Sequence, residues 1–184
     1  MTRIIAGVWG GRRLSAPKGS TTRPTTDRVR EAVFSSLQSH FGSLEGLRVL
    51  DAFAGSGALA LEALSRGAVW ADLVEQDAKA SAALQANIGA LAADQLARVH
   101  RTSAAKFVSS RSEAEALWDI VFLDPPYDFE DRDLAELISQ LEPFVDPEGI
   151  FVVERSSRSR FVWPHHVKAI REKKYGETQI WYGR

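Results

Sequence analysis

Val49-Leu50-Asp51-Ala52-Phe53-Ala54-Gly55-Ser56-Gly57 is the stretch on which the fold turns. An apolar run closes on a carboxylate and breaks into Gly-x-Gly just ahead of the helical segment Ala58–Ser65, so it reads as a strand, a tight bend and a helix. Downstream the same alternation repeats. Strands are expected at Arg48–Ala52, Ala71–Glu75, Arg98–Arg101, Ile120–Asp124 and Ile150–Glu154, with helices at Ala58–Ser65, Asp77–Leu91, Ala104–Leu117 and Asp131–Leu141. Strands alternating with helices of this length specify an α/β fold whose parallel strands are joined by crossover helices. His166–Lys173 and Thr178–Trp181, around Tyr175-Gly176, read as a closing strand pair.

Upstream of the bend, Arg3–Val8 and Arg12–Ser15 read as a hairpin turning at Gly10-Gly11. From Thr26 the spacing becomes helical, with Val29, Ala32, Val33, Leu37 and Phe41 on an apolar stripe and Arg28, Arg30 and Glu31 off it. With 184 residues, 45% of them hydrophobic, the chain suits one core with a small appendage. Its net charge of −1 hides an asymmetry: residues 1–30 carry seven Arg and Lys against Asp27 alone, and the rest of the chain is acidic. A basic leading segment on an acidic body points to a polyanionic partner, the alternative being a solvated face.

The absence of cysteine excludes disulfides and thiolate metal sites. The four histidines are scattered, and the adjacent His165 and His166 face opposite ways on a strand, so no metal is expected. The start lacks the apolar stretch of a secretory signal, and no run approaches the ~20 apolar residues that span a bilayer. The expectation is a cytoplasmic monomer that does not meet a membrane.

Glycine at the bend lets backbone approach a ligand, and the helix start offers unpaired N–H groups. Gly55 to Ala60 also fits the G-x-G-x-x-[GA] dinucleotide pattern, with Glu75 at about the ~20-residue distance of a ribose-binding carboxylate, so a nicotinamide enzyme competes. A carboxylate from Asp51 at the mouth of the bend would repel a pyrophosphate and attract the ammonium and sulfonium of S-adenosylmethionine.

The second informative segment is Ile120-Val121-Phe122-Leu123-Asp124-Pro125-Pro126-Tyr127. Residues before proline are held extended and proline has no N–H, so the Asp124 carboxylate and the Pro125 carbonyl are kept as acceptors. Two fixed acceptors on the hydrogens of an exocyclic base amine would turn its lone pair toward a methyl donor, with Tyr127 stacked on the base. The plain alternative is a rigid turn with a half-buried tyrosine.

Asp51 to Gly57 resembles motif I of the class I methyltransferases, and Asp124 to Tyr127 resembles motif IV of the amino-methyltransferases. Motif IV leaves adenine N6, cytosine N4, guanine N2 and a protein glutamine open. Arg3-Ile4-Ile5-Ala6-Gly7, Gly11-Arg12-Arg13-Leu14, Pro17-Lys18-Gly19, the block Arg23–Phe34 and Tyr175-Gly176, taken with both motifs, resemble the bacterial guanine-N2 methyltransferases of small-subunit ribosomal RNA (RsmD type) almost end to end.

The resemblance implies a Rossmann-like, mostly parallel seven-stranded sheet with helices on both faces, an antiparallel C-terminal strand and a small N-terminal hairpin. It divides the chain into a basic RNA-binding extension, 1–22, and a methyltransferase domain, 23–184. It implies S-adenosylmethionine as cofactor, held by Thr25, Asp51, Phe53, Ala54, Gly55, Ser56, Gly57, Glu75, Gln76, Ser103, Ala104 and Asp124. It gives the catalytic role to Asp124, Pro125, Pro126 and Tyr127, and RNA phosphates to Arg3, Arg12, Arg13, Lys18, Arg23, Arg28 and Arg30. The implied reaction is methylation of one loop guanine of 16S ribosomal RNA, in the assembled small subunit. Ser103-Ala104 departs from the wider class, which often places a carboxylate on the adenine amine there; serine is a weaker acceptor. Methylation of another base and a non-catalytic RNA-binding module remain the competing outcomes.

Overall fold

A computed structural model describes residues 2–16, 27–112 and 116–184. Two short strands, β1 (Thr2–Arg3) and β2 (Arg13–Leu14), pair antiparallel as a ribbon. Helix α1 (Asp27–Phe41) follows, and then the strand–helix alternation: β3 (Arg48–Asp51), α2 (Ala58–Ser65), β4 (Trp70–Val74), α3 (Ala78–Ala90), β5 (Ala97–His100), α4 (Ala104–Ser109), β6 (Trp118–Leu123), α5 (Asp131–Leu141) and β7 (Val145–Ser156). β8 (Ala169–Tyr175) and β9 (Thr178–Gly183) close the chain. The main sheet runs β5-β4-β3-β6-β7-β9-β8, parallel through β7, with β9 antiparallel to both neighbours.

The two-residue period of a strand sorts the core into two layers. Val49, Ile120, Phe122, Ile150 and Val152 point to the face covered by α1, α2 and α3, and Leu50, Val121, Leu123, Phe151 and Val153 to the face covered by α4 and α5. Burial on both faces accounts for the near-continuous apolar runs of the central strands. On the second face Asp72 is a buried exception. Burial pushes its carboxyl up, but hydrogen bonds from His100, Trp118 and Trp70 win and hold it below the ordinary carboxylate range.

Three departures from the sequence-based expectation bear on the site. Helix α4 runs from Ala104 only to Ser109, because the Ser109 and Ser110 hydroxyls donate to the Lys106 and Phe107 carbonyls and end the helix locally. The hairpin strands shorten to two residues each: Ile4 still pairs with Gly11 and Arg12, but the backbone from Ile5 to Trp9 turns to α2. The wholly buried Glu62 accepts from the Ile5 and Ala6 N–H groups at 2.6 and 3.0 Å, and Ser65 accepts from Val8 and Trp9.

Arg30 is the third. It sits on the buried stripe of α1 with Val33, Phe34 and Leu37, only 1% exposed, and donates to the Arg3 carbonyl and to Asp27. Burial lowers its guanidinium from the ordinary value, with Asp27 and Glu62 opposing that shift. Arg30 is therefore an internal brace and is not available to RNA.

Candidate active site at the carboxyl ends of the strands

A crevice of about 1010 Å³ opens where β3, β4, β6 and β7 end. Ligands of open parallel sheets bind at this edge, because the loops leaving the strands diverge to opposite faces there. Of the residues singled out in the sequence, Phe53, Gly55, Ser56, Glu75, Gln76, Ser103, Ala104, Asp124, Pro125, Pro126 and Tyr127 line it. Asp51, Ala54 and Gly57 do not. Thr25, Lys18 and Arg23 lie outside the described residues.

The two glycines of the bend have different jobs. Gly55, at φ +53°, faces open space, so its backbone is bare toward the crevice. Gly57 caps α2 at φ +81°, and a side chain there would meet Leu84 at 2.4 Å, so it serves the packing of α2 on α3. Glu75 ties the bend to β4 by accepting from the Gly55 N–H at 2.9 Å and the Asp77 N–H at 2.7 Å. A carboxylate offers about four lone-pair positions, so capacity for two further donors remains.

Asp51 lies beneath the bend rather than at its mouth, 2% exposed. The Gly-x-Gly turn lets the chain fold back over the strand end and cover the carboxylate. Burial pushes its carboxyl up to about 7, against hydrogen bonds from the Phe53 and Ala60 backbone N–H groups, and Glu75 adds to the rise. Its Oδ1 is buried with no hydrogen-bond partner among the described residues. Its charge thus acts on the crevice through the loop and not by direct contact.

At the end of β6, Pro125 is buried while Tyr127 is 70% exposed and stands on the crevice wall. Phe53 and Phe129 meet edge-on at 5.2 Å and form an aromatic flank. Three residues missed from the sequence hold this arrangement. Arg155, at the end of β7, donates to Asp131 (3.0 Å), to the Pro126 carbonyl (3.2 Å) and to the Phe129 carbonyl (2.5 Å), bracing the turn that carries Tyr127. Asn87 donates to the Ser15 and Ser56 carbonyls and accepts from the Ser15 N–H, linking the ribbon to the glycine bend. Glu62 anchors the ribbon; its signal was a lone charge within the apolar run Ala58–Leu64.

The basic N-terminal residues divide by partner. Arg3 pairs with Asp27 at 2.9 Å, and Arg12 donates to the Ala90 carbonyl at 2.8 Å. Arg13 and Arg28 are exposed. The ribbon itself borders the crevice through Thr2 and Ala16. Ser103 caps α4 by a long contact, 3.4 Å, from the Lys106 N–H, which leaves its hydroxyl facing the crevice.

Sheet order, the strand-end crevice and the glycine bend define a class I, S-adenosylmethionine-dependent methyltransferase. Residues 2–184 match the family described as Conserved hypothetical protein 95. The chain is 42% identical over 154 residues to the Escherichia coli (strain K12) ribosomal RNA small subunit methyltransferase D, covering 83% of this chain and 73% of that one. With its Haemophilus influenzae counterpart the identity is 33% over 175 residues, or 95% and 89% of the two chains. The chain belongs to this family, that of the small-subunit ribosomal RNA methyltransferase D proteins. Among solved structures, the E. coli protein yhhF superposes with a TM-score of 0.84 at 37% identity over 100% of this chain and 97% of that one. TrmN from Thermus thermophilus shares the fold alone, with a TM-score of 0.67 at 19% identity over 85% and 48%.

Proposed function

We propose that this protein transfers a methyl group from S-adenosylmethionine to the exocyclic N2 of one loop guanine in 16S ribosomal RNA, acting on the assembled small subunit in the cytoplasm. The observation that carries this is the meeting of two strand ends in one crevice: the bare Gly55 backbone with Glu75, and the Asp124-Pro125-Pro126-Tyr127 turn.

The residues present fit the cofactor. Gly55 offers approach without a side chain, Glu75 keeps lone pairs for ribose hydroxyls, and Ser103 and Ala104 line the flank where the adenine would lie. When bound, the cofactor supplies an electrophilic methyl on a positively charged sulfur. The chain's own residues act on the amine. The Asp124 carboxylate and the Pro125 carbonyl accept its two hydrogens, which orients the lone pair. As the N–C bond forms and the S–C bond breaks, the nitrogen sheds a proton, and Asp124 is the acceptor in place. Tyr127 compensates for stacking lost when the base leaves its neighbours, by about 1–3 kcal/mol. The aromatic pair Phe53 and Phe129 keeps water from this flank.

The ribbon at the head of residues 1–22, fixed by Glu62 and Asn87, would present Arg13 to RNA phosphates, and Arg28 on α1 is exposed as well. The test is incubation of the protein with methyl-labelled S-adenosylmethionine and small subunits lacking the modification. Label in 16S RNA is expected; label confined to DNA, or none in any nucleic acid, overturns the proposal.

A further inference from the structure

Residues 157–184 hold seven Arg and Lys against Glu172 and Glu177, in a chain whose net charge is −1. Most of this charge lies on or beside β8, the outermost strand of the sheet, whose residues from Ala169 to Lys174 are all exposed. Arg158 pairs with Glu177 at 3.8 Å and Arg184 with Glu148 at 2.5 Å, while Glu172 takes a hydrogen bond from Gln179. Lys168, Arg171, Lys173 and Lys174 pair with no carboxylate among the described residues. Arg171 and Lys173 lie over the Tyr182 and Tyr175 rings, at 5.1 and 5.9 Å, which sets both cations on one face of the strand; Lys174 points to the other.

The strand runs toward the crevice. Tyr175 is paired with Thr178, Thr178 with Ser156, and both Ser156 and Thr178 line the crevice wall. From Lys168 to Lys174 the chain spans roughly 20 Å at the rise of a β-strand. The part of the crevice lining that α5 supplies is acidic, with Asp133 and Glu136. A polyanion carrying a base into the crevice is therefore repelled from the α5 side and attracted along β8.

We propose that β8, with Lys168 leading into it, is a docking surface for the phosphate backbone of the RNA substrate, distinct from the N-terminal ribbon; this rests on the RNA-methyltransferase function above. Lysine on an outer strand also guards a sheet against pairing with another sheet, and that role alone gives no RNA contact. The two are separable by experiment.

In the full chain, Arg171→Gln, Lys173→Gln and Lys174→Gln are combined, and the Kd for small subunits lacking the modification is measured across about 50–200 mM salt. If each cation neutralises one phosphate, the log–log salt slope becomes shallower by about 2 and low-salt affinity drops about tenfold. The loss in methyl transfer falls on the KM for RNA rather than on kcat. The charge-keeping set Arg171→Lys, Lys173→Arg and Lys174→Arg restores the slope. On the wild-type protein, which needs no variant to fold, RNA shields Lys168, Lys173 and Lys174 from acetylation by an amine-reactive ester.

An unchanged slope, or equal acetylation with and without RNA, overturns the inference. So does a glutamine variant that self-associates while binding RNA normally. A wild-type chain that binds and methylates RNA while the variant matches it sinks this inference alone. A wild-type chain that does neither sinks the proposed function as well.

Discussion

Two parallel strands of the same sheet run into aspartate, β3 closing on Asp51 and β6 leading directly into Asp124, and the structure treats the two residues oppositely. After Asp51 the chain bends through Gly-x-Gly, folds back, and seals the carboxylate under its own backbone at 2% exposure. After Asp124 the two prolines can neither bend into a helix nor donate an N–H, and the residue remains on the crevice wall. The difference comes from the two or three residues that follow, since both strands are flanked by the same kind of buried apolar sheet. One strand end is built to shape a loop, and the other is built to present acceptors.

The comparison breaks most readily at Asp124. Asp124→Asn keeps the shape but removes the charge that orients the amine and takes its proton. Single-turnover transfer should fall by about 10²–10³, the usual cost of losing one preorganised electrostatic group, while the Kd for S-adenosylmethionine moves little. A parallel loss of cofactor affinity would instead make Asp124 another part of the donor site.

A smaller effect is expected at Glu75, which ties the glycine bend after Asp51 to the end of β4. Glu75→Gln keeps one acceptor for the Gly55 or Asp77 N–H and loses the charge, so cofactor affinity should weaken about tenfold, or 1.4 kcal/mol. Isothermal titration checks this, and unchanged affinity would return Glu75 to a purely loop-fixing role.

The smallest effect on turnover, but a distinct one on stability, belongs to Asp51. Burial pushes its carboxyl up from 3.8 to about 7 in the folded chain. Between these values the folded protein holds a proton that the unfolded chain has lost. Its contribution to stability is thus full below about pH 4, falls as pH rises, and levels off above about 7. Urea midpoints across that window should show the wild type losing ground to Asp51→Asn as pH increases. Parallel curves would mean that the carboxylate is solvated.

Much of this was legible in the sequence because the deciding signals are local. The bounds of α2 and α5 follow from apolar spacing, and the sheet from repeated strand–helix alternation. What failed to show was long-range pairing of polar groups. Arg30 looked like a surface cation until its i+3, i+4 and i+7 neighbours, Val33, Phe34 and Leu37, proved to share its buried face. Glu62 and Asn87 reach 57 and 72 residues back along the chain to hold the ribbon, contacts that no spacing rule encodes. Arg155 likewise braces a turn 29 residues upstream. Asp51 was readable as a strand-closing carboxylate, but whether the loop would cover it depended on the packing of Gly57 against Leu84.

The claim that the second strand end presents acceptors to a purine amine is tested most directly by nucleoside mass spectrometry. After reaction with unmodified small subunits, the RNA is digested and the added methyl located. The account predicts N2-methylguanosine at a single position, formed about 10²–10³ more slowly when Asp124→Asn replaces the wild type. Methyl groups on adenine N6, on a ribose, or spread over many guanines would contradict it.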